Sequence, residues 1–242
     1  MIESVPSRSR DGTVNTPGLK SRLASQFVLS APILGVLLFA PAGSLRFWPA
    51  WVFMALFFSA SLTLAVYFYR RDPALLERRL ETKEQASDQK LIRKLWIALW
   101  IVGLSIPGFD FSEGWSRALL GSVPVWLTLV AQGLVLCSYF LVFQALKANS
   151  YASSVVKVEA AQQVISDGPY GIVRHPMYSG LLVLLLSLPL ALGSYVAVPV
   201  FVLLIATLVF RLLSEEKKLR HELPGYSEYC RRIRFRLVPL LW

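Results

Sequence analysis

Residues 148–180 form a polar segment with side chains suited to ligand binding, and this segment leads directly into an apolar block. It contains Arg174-His175-Pro176, with Tyr178 two residues later. The residue before a proline avoids the helical region, and proline suits the first position of a helix. We therefore expect His175 just outside a helix N-terminus and Tyr178 in the first turn, where backbone N–H groups attract anionic ligand groups. The alternative is that Arg174 and His175 only lie in the lipid head-group layer.

A second polar cluster follows the last apolar block, where Arg211 precedes Glu215 by four residues. Residues four apart lie on the same face of a helix. An ionisable pair at the end of a membrane span indicates a functional site, since charges at that depth are costly. The alternative is an arginine whose charged end reaches the head groups, followed by a solvated charged helix.

The two polar clusters are separated by two apolar blocks, with Gly193 and Ser194 between them. We expect these blocks to form a tight helical hairpin with a two-residue connection. Such a hairpin starts and ends on one face of the membrane, so it brings Arg174–Tyr178 close to Arg211–Glu216. The sequence therefore predicts one binding site at the membrane boundary.

Long apolar blocks position these clusters and predict an all-α, polytopic membrane protein. Of the 242 residues, 55% are hydrophobic and 17% charged, whereas about a quarter of the residues of a soluble domain are charged. A helix needs about 20 apolar residues to span a bilayer. We predict six transmembrane helices, at Leu23–Ala40, Phe47–Tyr69, Leu95–Phe109, Ala118–Leu146, Tyr178–Leu192 and Tyr195–Leu213. We also expect a kink at Pro124, a flexible tail over residues 1–22 and a single domain over residues 23–242.

The basic residues lie almost entirely in alternate connections of this six-helix layout. Of the 25 Lys and Arg residues, 23 fall in the terminal segments and in the connections 70–94 and 147–174, which leaves Arg46 and Arg117 on the other side. This is the positive-inside pattern, so we expect both termini in the cytoplasm and the lipid bilayer as a partner. The net charge of +10 follows from this topology and does not indicate a nucleic-acid partner.

Other classes of site lack their motifs in this sequence. There is no G-x-G-x-x-G, which excludes a soluble Rossmann-type enzyme. His175 and His221 have no ligands at metal-site spacing, and the two cysteines are isolated, so we expect no metal. A non-enzymatic scaffold or a small transporter stays open as an alternative. A transporter should carry polar or broken segments at mid-membrane depth, whereas the ionisable residues here cluster at one boundary.

Four motifs occur in order within residues 149–239. They are Gly168-Pro169-Tyr170, Arg174-His175-Pro176-Met177-Tyr178, Arg211 followed by Glu215-Glu216, and the tail GYSEYCRR from Gly225 with a later Val238-Pro239. In this order, after membrane spans and around a short hairpin, they resemble the isoprenylcysteine carboxyl methyltransferase family. The broader group with this pattern includes the phospholipid methyltransferases.

The resemblance implies a helical membrane enzyme that binds S-adenosylmethionine at its cytosolic face and methylates a lipidic or prenylated acceptor. It assigns Arg211 to the acceptor, and Arg211 with Glu215 to catalysis. It assigns cofactor binding to Gln162, Gln163, Val164, Ile165, Tyr170, His175, Pro176, Met177, Tyr178 and Glu215. Eukaryotic members tend to have histidine where this chain has Gln162. Phospholipid N-methyltransferase and thiol S-methyltransferase activities remain alternatives.

Overall fold

The computed structural model describes residues 18–80, 87–151 and 163–242, and within these ranges the fold is all-helical. The predicted fold class is therefore confirmed. The α-helices are α1 (Leu19–Ala42), α2 (Trp48–Arg71), α3 (Pro73–Leu80), α4 (Ser87–Glu113), α5 (Trp115–Leu119), α6 (Val125–Ala148), α7 (Pro176–Ala191), α8 (Val198–Glu222) and α9 (Tyr226–Arg232). Residues 19–22, which we expected in the tail, belong to α1.

Within the described ranges, five helices are long and apolar enough to cross a membrane, namely α1, α2, α4, α6 and α8. The fifth apolar block of the sequence forms α7, which has 16 residues and is shorter than these spans. Large apolar side chains such as Val28 and Trp126, 71% and 65% exposed, point outward from the spans. Such surfaces belong in lipid, and the chain is an integral, multi-pass membrane protein.

Two local expectations at the helix ends are wrong. Pro124 does not kink a long helix, because it precedes α6 in an extended conformation and a separate short helix lies before it. Gly121, with a φ of 91°, breaks the chain between the two helices. The hairpin connection covers six residues, 192–197, rather than two, because Gly193 turns with a φ of 72° and a proline near the start of α8 fixes where that helix begins.

The helix α7 packs most extensively against α6, and it also packs against α8. Gly180 makes this approach possible, because a Cβ at that position would lie 2.8 Å from Cγ2 of Val142 and 3.0 Å from the carbonyl oxygen of Ser138. Further along α7, Leu185 and Leu188 are completely buried. The start of α7 is therefore held in a fixed position against the rest of the molecule.

A buried glutamine on α6 aligns the far ends of α2 and α7. The Nε2 of Gln132 donates to the carbonyl oxygens of Pro49 at 3.1 Å and Ala191 at 2.7 Å. The connection after α7 is held by Ser116, whose Oγ accepts from the N–H of Tyr195 at 2.9 Å. These contacts fix the hairpin of α7 and α8 at the end opposite to Tyr178 and Glu215.

Candidate functional site

The helix α7 begins as the sequence predicts. Pro176 is its first residue, His175 lies just outside it and Tyr178 is in the first turn. The N–H groups of Arg174 and His175 donate to the carbonyl oxygens of Phe235 at 2.9 Å and Arg236 at 3.0 Å. The C-terminal segment therefore runs directly beside the start of α7.

The hairpin brings Tyr178 and Glu215 together, as expected from the polar residues at its two ends. The hydroxyl of Tyr178, which is buried, donates to Oε2 of Glu215 at 2.6 Å. Arg211 interacts with the same hydroxyl. Glu215 and Arg211 are both half-buried, which leaves part of each side chain accessible to a ligand.

Tyr170 lies on a single turn of 3₁₀-helix, Gly168–Gly171. Its hydroxyl accepts from Nδ2 of Asn149 at 3.2 Å, and its carbonyl oxygen accepts from the Tyr229 hydroxyl at 2.8 Å. Burial raises the pKa of Tyr170 to about 12, so the hydroxyl stays protonated at neutral pH. The charge of Glu215 also raises the pKa of Tyr170.

Arg79 of α3 is a neighbour of these residues that the motifs did not indicate. Its Nη1 donates to Sδ of Met177 at 3.4 Å, and its charge interacts with Tyr178, Arg211 and Glu215. The sequence placed Arg79 among the many basic residues of one connection, with no signal that separated it from them. We refer to Arg79, Tyr170, Tyr178, Arg211 and Glu215 as the polar cluster.

His175 lies beside the polar cluster as a neutral side chain. Its Nε2 is 3.4 Å from the Tyr226 hydroxyl, and its ring meets that of Tyr178 edge to face at 5.9 Å between centroids. Burial lowers the pKa of His175 to about 4; the Glu216 charge opposes this shift, while Arg174 and Arg236 add to it. A neutral imidazole does not repel a cationic ligand.

Glu216, the neighbour of Glu215, binds three arginines and is buried. It accepts hydrogen bonds from Arg174, from Nη2 of Arg220 at 3.1 Å and from Nε of Arg236 at 2.8 Å. Arg174 also donates to the carbonyl oxygens of Ile233 and Arg234. Glu216 and Arg174 therefore hold the C-terminal segment onto α8 and do not face the polar cluster.

The remaining residues expected at the cofactor are divided between surface and interior. Gln163 is exposed, and Val164 and Ile165 are half-buried, with Val164 packed against the buried cluster of Leu223, Tyr226, Tyr229 and Cys230. Pro176 is buried and Met177 half-buried. Gln162 lies outside the described residues.

Comparison with known proteins supports the family expectation. Residues 126–223 match the model of the family described as phospholipid methyltransferase. This family belongs to the same group of membrane methyltransferases as the isoprenylcysteine carboxyl methyltransferases, so the expected relationship is confirmed for that part of the chain. The matched residues run from the start of α6 through α7 and α8 and include every residue of the polar cluster except Arg79.

A curated relative matches a smaller part of the chain. The Delta(14)-sterol reductase of Mus musculus is 31% identical over 90 residues, which are 36% of this chain and 22% of that protein. The match thus spans about a fifth of the relative's length. A membrane methyltransferase is the activity that the family match supports.

Proposed function

We propose that this protein is an S-adenosylmethionine-dependent membrane methyltransferase that methylates a lipid-associated acceptor, as isoprenylcysteine carboxyl O-methyltransferases do. The observation that carries the proposal is the hydrogen bond of Tyr178 with Glu215, next to Arg211, within the part of the chain that matches the family. This group combines a carboxylate, a guanidinium and an aromatic hydroxyl at one end of the apolar helices. Both a cationic cofactor and an anionic acceptor find complementary charges there.

The residues around Glu215 fit S-adenosylmethionine. The carboxylate of Glu215 can accept from an ammonium group or ribose hydroxyls, and such charge-assisted hydrogen bonds are strong. The rings of Tyr170 and Tyr178 can attract a cation through their faces. His175 stays uncharged at neutral pH and adds no repulsion. When bound, the cofactor supplies a methyl group that the positive charge on sulfur activates for transfer.

Arg211 is the residue that we assign to the methyl acceptor. Its planar guanidinium can pair with two oxygens of a carboxylate or phosphate and so fix the direction of approach. A carboxylate acceptor is already nucleophilic, so the chain must align it rather than deprotonate it. Alignment of this kind is a large part of catalysis for a two-reactant transfer.

A phospholipid N-methyltransferase is the second candidate, because the matching family carries that description. An amine acceptor arrives protonated and must lose a proton before it can attack. A base is therefore required in that case, and Glu215 is the carboxylate that the polar cluster offers. The two candidates differ in whether Glu215 must take up a proton during turnover.

Cofactor binding by the purified protein tests the proposal. Calorimetry with S-adenosylmethionine should show that Tyr178→Phe and Glu215→Gln bind ten- to a hundredfold more weakly than wild type. The expected loss is about 1.5–3 kcal/mol for one hydrogen bond to a charged group. Glu222→Gln is the matched control, because it makes the same change at the exposed end of α8. Wild-type affinity in both site variants would refute the assignment.

The acceptor class is tested with a methyl-labelled cofactor and three acceptors in lipid nanodiscs. N-acetyl-S-farnesylcysteine offers a carboxylate, dioleoylphosphatidylethanolamine an amine, and octanethiol a thiol. We expect transfer to the carboxylate. Transfer to phosphatidylethanolamine alone would favour the second candidate, and a wild-type protein that binds no cofactor would contradict both.

A further inference from the structure

The chain after α9 closes on itself in a compact turn. The carbonyl oxygen of Trp242 accepts hydrogen bonds from three successive N–H groups, those of residues 236–238, at 2.9, 3.0 and 3.1 Å. At the tip of this turn, Leu240 has a φ of 65°, a left-handed conformation that is uncommon for residues other than glycine. The hydrogen bonds therefore hold the tip in one defined shape. We refer to residues 236–242 as the C-terminal turn.

Two leucines of the C-terminal turn point away from the protein. Leu240 is 89% exposed and Leu241 is 80% exposed, the highest values among the large apolar side chains of the described residues. Val28 of the α1 span, which faces outward, is 71% exposed. Water is an unfavourable solvent for two adjacent apolar side chains of this size. The two leucines therefore form a surface that suits an apolar environment.

Contacts with α8 place the C-terminal turn at the level where the apolar part of that span ends. Leu237 is buried in the same core cluster as Leu212 of α8. The guanidinium of Arg236 lies over the ring of Trp242, 5.1 Å from its centroid, and its Nε donates to Glu216 at 2.8 Å. Glu216 follows Leu212 by about one helical turn. The turn therefore lies at the membrane boundary, a level that indole rings favour.

Basic side chains precede the apolar tip. Arg231 and Arg232, in the last turn of α9, and Arg234 are all exposed. Glu228 is the acidic residue of α9, which leaves an excess of two positive charges over residues 228–234. Apolar side chains next to cations are typical of segments that lie in the interface of an anionic membrane. The charge of this segment is therefore complementary to lipid phosphates.

We propose that the C-terminal turn binds the surface of an anionic lipid leaflet, with Leu240 and Leu241 among the acyl chains. The exposed arginines 231, 232 and 234 lie at the lipid phosphates. A bilayer is a better partner for this surface than another protein, because the turn lies at the boundary of the bilayer that surrounds α8 and carries charge complementary to its head groups.

Binding of the turn to lipid stabilises the start of α7. The N–H of His175 donates to the carbonyl oxygen of Arg236 at 3.0 Å, and Oγ of Ser179 donates to the carbonyl oxygen of Leu237 at 2.6 Å. These bonds join the turn to the residues on both sides of Tyr178. A membrane contact at the tip therefore restricts the segment that packs against the first turn of α7.

Fluorescence in lipid nanodiscs tests the insertion of the tip. An environment-sensitive nitrobenzoxadiazole probe is attached to Leu240→Cys, and lipids with a spin label near the head group quench it. Two positions calibrate the signal: Phe210→Cys, whose side chain is 57% exposed on the α8 span, and Ser227→Cys, which is exposed on α9. The native thiols Cys137 and Cys230 are replaced by alanine, so that the probe reacts only with the introduced thiol.

We expect the probe at Leu240→Cys to emit at the shorter wavelength of an apolar environment and to be quenched by the labelled lipids, as at Phe210→Cys. The probe at Ser227→Cys should behave as in water. Emission and quenching at Leu240→Cys that equal those at Ser227→Cys would overturn the proposal. A shift to shorter wavelength without quenching by lipid would also overturn it, because a protein surface would then cover the tip.

The lipid composition tests the role of the arginines. Quenching at Leu240→Cys should increase when phosphatidylserine replaces part of the phosphatidylcholine, and this increase should be lost at high salt, because salt screens exposed charges. Changing arginines 231, 232 and 234 together to glutamine should abolish the increase, whereas changing them to lysine should retain it. Equal quenching in the two lipid mixtures would refute binding to an anionic leaflet. The comparison of lipid mixtures needs no change of the arginines, so it decides the question even if the glutamine variant does not fold.

Discussion

Replacing Glu216 by glutamine removes the negative charge that three arginines share and leaves the size of the side chain unchanged. Arg174 is the most affected partner, because its side chain is 8% exposed and that of Glu216 is 4% exposed. Arg236 and Arg220 are more exposed, so water can compensate for part of their loss. The perturbation therefore acts mainly on the contact between α8 and the segment that contains Arg174.

The expected cost follows from burial and from the bonds that remain. Breaking a buried ion pair by removing one partner costs about 3–5 kcal/mol, because the other charge stays buried. Arg174 keeps its hydrogen bonds to the carbonyl oxygens of Ile233 and Arg234, and glutamine can still accept one bond. We therefore expect the lower end of this range, about 3 kcal/mol, which corresponds to a melting temperature roughly 6–12 °C lower.

Thermal melting in one detergent measures this effect. Glu222→Gln is the control, since Glu222 pairs with Lys218 across 3.9 Å at the exposed end of the same helix, and exposed pairs contribute less than about 1 kcal/mol. Hydrogen exchange at the amides of Arg174 and His175 should become faster in Glu216→Gln, because these amides bond to the C-terminal segment. Equal melting temperatures for the two variants would refute the stabilising role of Glu216.

Three further predictions concern pH, packing and topology. Burial lowers the pKa of His175 from 6.5 to about 4, so between these pH values the unfolded chain binds more protons than the folded protein. The stability of the folded protein should therefore fall by about 3 kcal/mol as the pH is lowered through this window. Melting at pH 7 and pH 4.5 should show that His175→Gln loses this dependence. Gly180→Ala should cost about 1–3 kcal/mol through overpacking against α6, whereas Gly133→Ala, with open space around its Cβ, should not destabilise the protein. Cysteines introduced at Ser87 and Glu113 should be labelled from opposite sides of the membrane, with Ser87 on the cytoplasmic side; labelling from one side would contradict the predicted topology.

The sequence predicts that Arg174–Tyr178 lie close to Arg211–Glu216, which include the contacting pair Tyr178 and Glu215, because local rules determine this proximity. A proline fixes the start of α7, a four-residue spacing fixes the face of α8, and a short connection forces the two helices together. These constraints act within one hairpin, so no knowledge of the other helices is needed. The predicted length of the connection between α7 and α8 was wrong by four residues. Tyr178 still contacts Glu215, because the two helices remain adjacent.

Arg79 and Glu216 could not be assigned in the same way. Arg79 reaches the cluster through packing of α3 on residues of α6 and the start of α7, which are distant in the sequence. Glu216 and Glu215 are adjacent and chemically identical, and their roles differ only because successive helix positions point in different directions. Which of the two glutamates contacts Arg174 and Arg236 depends on where the C-terminal segment lies.

The length of α7 determines how deep in the bilayer a reaction at its first turn would occur. Gln132 aligns the ends of α7 and α2, yet α7 extends about 24 Å from that level and α2 about 36 Å. Because α7 is shorter than the hydrocarbon core of a bilayer, which is about 30 Å thick, a lipid would meet Tyr178 while its chains remain in the hydrocarbon. Bilayer thickness would then alter the distance between the two reactants, independently of the chemistry of the head group.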